Sequence, residues 1–345
     1  MPNPVLSNEA SSTAVSHFTD GLNAAFSKTF DAHYYSESRE WQKRMFRVMP
    51  SSAAFEMFHG FLSAPEGAPL LRGMAPISAG IGEVTLTVYV YDYASSEIQY
   101  FITDKEESRA PEGIEKRIND TAEKLANLDD QVLPELLTGA VSTRLNPGVS
   151  FTNIFGGTAG LFSSSHSYSG NNGAQTLDNS IAGRGTSAAN LQDDFYTIMQ
   201  TYDDMVDSEG NPFWPQERTE RATHMLIVPA ELRQPFDSLW RSTTVVQAGG
   251  TAPADNYIKT VFGQNVQWKV FQRLTDTNNY YCIRTDNVGD AFPFLKVERR
   301  APEMMFRKLN SGSDWSYRTR MESVYWWLRR GYAPGVPQCA VEITN

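Results

Sequence analysis

Leu161-Phe-Ser-Ser-Ser-His-Ser-Tyr-Ser-Gly-Asn-Asn-Gly-Ala-Gln-Thr-Leu-Asp-Asn179 is the most informative segment of the chain. It is rich in turn formers and poor in apolar anchors, so a lone chain gains little free energy by ordering it. It sits inside a longer run, 139 to 190, dominated by Gly, Ser, Asn and Thr and without sustained helical or strand periodicity. Phe151, Ile154, Phe155, Leu161, Phe162 and Leu177 punctuate that run, which favours a loop docked on a surface over a free linker. A contact-making segment, completed by a neighbouring subunit, is expected.

Immediately upstream, Ile114, Ile118, Ala122, Leu125, Leu128, Val132 and Leu136 fall three or four apart behind Pro111, and charged residues cover the opposite face. The spacing predicts one long helix, kinked or shortened near Pro134 and ended by Gly139. Before it, Val84–Tyr91 and Ile98–Ile102 alternate apolar and β-forming residues and predict a long hairpin or arm, entered through the turn-rich Pro65–Pro76. Residues 1 to 30 are polar, with Val15, Phe18, Leu22, Ala25, Phe26 and Phe30 spaced for a short amphipathic helix. Trp41, Met45, Phe46 and Val48, interleaved with Arg39, Lys43, Arg44 and Arg47, read as an arm docking on protein.

Downstream of the loop, Leu191, Phe195, Ile198, Met199, Tyr202 and Val206 predict a second amphipathic helix, stopped by Ser208–Pro212. His224–Pro229 reads as a short buried strand feeding a helix with Leu232, Phe236, Leu239 and Trp240. Strands are expected near Val266–Leu274, Tyr280–Thr285 and Met304–Lys308, with a long final one from Tyr317 to Arg329. The order suggests a mixed α/β lobe and an α+β protein of two lobes.

The chain of 345 residues, 41% hydrophobic, can bury a substantial core. Its formal charge of −10 disfavours general nucleic-acid binding. Residues 296 to 330 run against that average, with nine basic residues (Lys296, Arg299, Arg300, Arg307, Lys308, Arg318, Arg320, Arg329, Arg330) and four acidic ones. They are either an ordinary solvated strand face or a region that pairs between copies. Cys282 and Cys339 lack a CxxC pattern, which argues against a disulfide scaffold or zinc knuckle and fits a reducing cytoplasm. The amino terminus has no basic start followed by an apolar run, so an unsecreted, soluble protein is expected.

Chemistry is hard to find. Ser163, Ser164, Ser165 and His166 are adjacent in sequence, where side chains rarely meet productively, and no GxSxG elbow occurs. The five histidines (His17, His33, His59, His166, His224) are dispersed, so no metal site is expected. Gly183-Arg-Gly-Thr-Ser-Ala188 and Gly80-Ile-Gly82 are fragments of a dinucleotide loop that follow no evident buried strand. Asp92, Glu97, Asp104, Glu106 and Glu107 read as a solvated approach to a helix start. No catalytic, cofactor-binding or metal residue is assigned.

The order of arm, hairpin, long helix, extended Gly/Ser loop, α/β lobe and final strand resembles the tailed-phage major capsid proteins of the HK97-like fold. Trp41-Gln-Lys, Met49-Pro-Ser-Ser52, Leu161-Phe-Ser-Ser-Ser-His166 and His224-Met-Leu-Ile-Val-Pro-Ala-Glu-Leu232 are similar to strings of the Mu-type major head subunit family. The resemblance implies an α+β fold with an N-terminal arm over 1–50 and a peripheral domain over 51–190. That domain would contain an extended loop (about 58–103) and a spine helix (about 111–138). An axial domain over 191–300 and closing strands over 301–345 would complete it. It implies a virion protein that is not an enzyme, assembled in the host bacterial cytoplasm as hexamers and pentamers of an icosahedral shell. Portal and scaffold proteins, with room for a decoration protein, would be its partners, and packaged DNA would be touched only weakly. A charged, coiled-coil-like amino-terminal extension is not seen, so a separate scaffold is expected. Two alternatives stay open: a tail-tube or decoration protein, and a hydrolase using Ser165 and His166.

Overall fold

The computed structural model describes residues 24–32, 34, 44–53, 55–61, 83–101, 110–139, 160–170, 173–207, 210–214, 222–246, 253–256, 258–259, 265–286, 291–307 and 321–345. In chain order the elements begin with α1 (24–32), β1 (Phe46–Pro50), β2 (Phe55–Phe61), β3 (Glu83–Tyr89), β4 (Tyr91–Ala94) and β5 (Ile98–Phe101). Next come α2 (Ala110–Ala126), α3 (Leu128–Thr138), β6 (His166–Gly170), β7 (Gly173–Leu177), β8 (Ser180–Ala182), α4 (Ala188–Asp204) and β9 (His224–Val228). After α5 (Arg233–Arg241) follow β10 (Thr244–Val246), β11 (Pro253–Asp255), β12 (Val266–Val270), β13 (Tyr280–Arg284), β14 (Phe294–Arg307), β15 (Met321–Pro334) and β16 (Ala340–Thr344). They form two compact units. The first holds Met1–Arg39, Asp92–Asp129 and Arg300–Arg329; the second holds Glu40–Tyr91, Asp130–Arg299 and Arg330–Asn345.

In the first unit, β5 runs antiparallel to β15, with Ile98 opposite Val324 and Phe101 opposite Met321. Phe30 stacks on Trp326 with ring centroids 4.4 Å apart, and Phe26 meets Tyr100 edge-on at 6.4 Å. Ile114, Ile118, Ala122 and Leu125 of α2 are buried as their spacing predicts. The expected single helix is two. The break falls at Asn127, whose N–H still donates to Glu123 O at 2.9 Å. Leu128-Asp-Asp then reads as a fresh start, with two carboxylates in the first turn where the helix dipole favours them. Pro134 lies inside α3 and does not end it, and Gly139 at φ +63° closes it in the left-handed region.

The second unit is centred on a five-stranded sheet in the order β12-β9-β13-β16-β8. Every residue of β9 and β13 is buried, as expected of strands covered on both faces. Leu191, Phe195, Ile198, Met199 and Tyr202 of α4 and Phe236 and Leu239 of α5 belong to the same apolar core. Ser187 caps α4, its hydroxyl accepting from the Asn190 N–H at 3.2 Å. The segment read as a docking arm is β1, a strand parallel to the start of β14, with Phe46 opposite Phe294 and Pro50 opposite Glu298. Phe46 is buried and Arg47 half-buried, and the segment docks on protein by sheet pairing.

Two further expectations are corrected. The 84–91 strand does not pair with 98–102: β3 pairs with β2, Phe58 opposite Leu86, while β5 pairs with β15. Phe55-Glu-Met-Phe-His-Gly-Phe61 carries enough aromatic residues to mark a strand, but its glycine and histidine mask the alternation. Within 139–190, the part described is ordered: β6 and β7 form a hairpin, and β8 joins the five-stranded sheet parallel to β16. The expected strands near 304–308 and 317–329 fall on β14 and β15 as far as they are described: β14 begins earlier, at Phe294, and β15 runs on to Pro334. Positions 1–23, 35–43, 62–82, 102–109, 140–159 and 308–320, on which several expectations fall, lie outside the described residues.

Candidate functional site

Three of the sheets are two-stranded ribbons: β2–β3, β6–β7 and β10–β11. A two-stranded ribbon is marginal in water by itself and gains stability only against another surface. The seven-pair β2–β3 ribbon carries Phe55, Met57, Phe58 and Phe61 on one strand and Val84, Leu86 and Val88 on the other. Such a residue set is costly to leave in water. Val88 is buried, whereas Tyr89 beside it is 50% exposed. An apolar ribbon of this kind offers contact with another surface.

The second ribbon is held within the subunit by one asparagine. Asn179 is fully buried. Its Nδ2 donates to Leu161 O at 2.9 Å, Ala340 O at 3.0 Å and Pro337 O at 3.1 Å, while its Oδ1 accepts from the Ser163 N–H at 2.9 Å. His166 Nε2 lies 3.1 Å from both Asn179 Oδ1 and Leu161 O. Both neighbours are acceptors, so Nε2 carries the proton and donates. Burial pushes the His166 pKa down, opposed by its bonds to Leu161 and Asn179 and by the nearby Asp178 carboxylate. Ser165 points to solvent and its N–H donates to Ser163 Oγ at 3.1 Å. An imidazole committed in this way is a structural clamp and not a base for Ser165. Asn179 is the residue that sequence reasoning missed, because its value lies in carbonyls more than 150 positions away.

The 183–188 string sits between β8, a strand without a buried residue, and the helix α4. Its backbone donors are nonetheless spent. Arg184 N–H donates to the Asp194 carboxylate at 3.1 Å, and Gly185 N–H to Asn345 Oδ1 at 2.9 Å. A Cβ on Gly183 would meet Asn345 Oδ1 at 2.1 Å, so the space a phosphate would use is already filled. Asp194, raised in pKa by burial against those bonds, also accepts from Tyr280 OH at 3.3 Å. It locks the loop to the core.

Of the nine basic residues in 296–330, Arg300, Arg329 and Arg330 are engaged within the chain. Arg330 is buried and pairs with Glu298 at 2.6 Å. Arg329 pairs with Asp92 and lies over Trp327 at 4.9 Å, and Arg300 covers the same ring at 4.7 Å while pairing with Glu303 at 3.1 Å. Arg300 and Arg329 stay partly exposed, as on an ordinary solvated strand face. Of the acidic series, Asp92 is thus engaged, Glu97 accepts from Gln99 and Ser323, and the other three lie outside the described residues. An open groove of about 790 Å³ runs beside α5 and β12, with Trp268 and Val270 flanked by Glu231, Arg233, Asp237, Arg241 and Lys269. Among the described residues no His, Cys, Asp and Glu cluster could hold a metal, and no helix is long and apolar enough to cross a membrane. Burial pushes the Cys282 thiol up to about 12, and that of Cys339 up as well, so both are inert where they lie.

No family model matches the chain, and no curated protein is similar to it in sequence. Solved structures are similar in backbone. A chain of the capsid of Myoviridae phage XM1 is 10% identical, with 86% of this chain and 89% of that one aligned at a TM-score of 0.51. A chain from Microbacterium phage Oxtober96 is 13% identical over 88% and 90% at 0.49, and one from the procapsid of bacteriophage JBD30 is 12% identical over 95% and 75% at 0.45. With helices and sheets mixed along it and its backbone aligned to the XM1 capsid chain over most of both lengths, the protein has an α+β fold of the HK97-like kind.

Proposed function

We propose that this chain is a major capsid protein of a tailed phage, a structural and non-enzymatic subunit that tiles an icosahedral head. The observation that carries the reading is the fold shared with the XM1 capsid chain across nearly nine-tenths of each. The two-stranded ribbons support it, since segments marginal in one copy are stabilised by contact with others. On this reading residues 1–50 form the arm, 51–190 the peripheral domain with its extended loop, 191–300 the axial domain and 301–345 the closing strands. Copies associate as hexamers and pentamers, with portal and scaffold proteins as partners, in the host cytoplasm before the virion is complete. The four strings shared with the Mu-type head subunits make that subfamily the nearest reading.

Negative-stain microscopy of the purified protein tests this. Shells, sheets or rings of five and six subunits are expected. A compact particle that stays monomeric at high concentration and shows uniform hydrogen-exchange protection overturns the proposal.

A further inference from the structure

His224 opens β9 and is 3% exposed. Its main chain lies between Val266 of β12 and Arg284 of β13, and its N–H donates to Asn265 O at 2.8 Å. Neither Nδ1 nor Nε2 has a hydrogen-bond partner among the described residues. The ring packs against Tyr202 of α4, with centroids 5.2 Å apart. Arg284 is its direct antiparallel neighbour, so the two side chains leave the same face with Cβ atoms about 5 Å apart. That guanidinium is itself sealed, lying 3.7 Å over the Trp214 ring and donating to Asp286 through Nε at 2.8 Å and Nη2 at 2.9 Å.

We propose that His224 is an acid trigger: its neutral ring keeps this end of the sheet closed, and its protonation opens it around Cys282 and Cys339. A proton on His224 would place a second cation opposite Arg284 in an interior where neither ring nitrogen meets an acceptor among the described residues. Arg284 disfavours that proton and Asp286 favours it, while β12 pairs Val266 with His224 and α4 lays the neutral Tyr202 against the ring; Asp203 of α4 acts on Arg284. Burial first, and Arg284 second, hold the imidazole down to about 4, against 6.5 for an ordinary histidine. The folded pKa lies below the unfolded one, so the stabilisation is complete above about pH 6.5 and is lost as pH falls towards about 4. The device lies within one subunit and holds whether or not the shell reading does.

Cys282 and Cys339 are the chain's two cysteines, both buried, and Tyr202 OH ties their carbonyls at 2.9 and 3.3 Å. They report opening directly. A dipyridyl disulfide, which reacts at acid pH, accepts attack by each exposed thiol: a protein–pyridyl disulfide forms, the reagent's S–S bond breaks, and thiopyridone leaves with the thiol proton. The full-length protein is labelled between pH 7 and pH 4, each rate divided by that of glutathione at the same pH. The normalised rate is expected to rise by up to about tenfold per pH unit as pH falls below 6.5. His224→Phe and His224→Gln, neither of which takes up a proton, are expected to flatten the profile. His166→Gln, altering the other buried imidazole, is expected to leave it steep. A flat wild-type profile overturns the proposal without any variant, and so does a steep profile in whichever His224 variant folds at pH 7.

Discussion

Strands β9 and β13 and the segment from Leu161 to Ala182 share one unit, yet different forces hold them. The strands are buried at every position and gain their stability from apolar area removed from water. The segment has few apolar anchors and is tied to β16 and the turn before it by the polar atoms of Asn179. Apolar burial is spread over many contacts and degrades gradually. A polar knot concentrates its stabilisation in one side chain, because each buried group left unmet costs its full desolvation.

The contrast can be broken by substitution. Leu226→Ala, at a fully covered position of β9, is expected to cost about 3–4 kcal/mol in urea unfolding as a cavity opens among close-packed neighbours. A cost below that of an exposed site would mean the strands are not the apolar frame described. Asn179→Ala is expected to cost about 2–3 kcal/mol and to create new protease sites within 161–182 while leaving β9 protected. Should proteolysis remain unchanged there, the knot is not what orders the segment. Ser187→Ala removes a single exposed cap and is expected to cost about 1 kcal/mol, read as a small drop in Tm. If that loss matched the Asn179 variant, burial would not be what makes the asparagine costly.

The same contrast explains what could be read from the chain alone. The positions from Ile114 to Leu136 and the run His224–Val228 were legible because apolar periodicity is a local signal. The break at Asn127 was not, since the apolar spacing continues across it and only the Asp129 and Asp130 carboxylates hint at a restart. The order within 161–182 was hidden because Asn179 resembles any loop asparagine until Pro337 and Ala340 are brought to it. The partners of β3 and β5 were misjudged because proximity in sequence favoured a hairpin between them, whereas β3 pairs with β2 and β5 with β15. His166 beside three serines drew attention to a chemistry that its bonds to Leu161 and Asn179 exclude.

Strand β16 sits in the interior of its sheet, between β13 and β8. During synthesis, therefore, β8 and β13 wait as ribosome-tethered neighbours with an empty lane until residues 340–344 have been made. Chains interrupted before that point keep an unfilled strand site that chaperones and proteases can find.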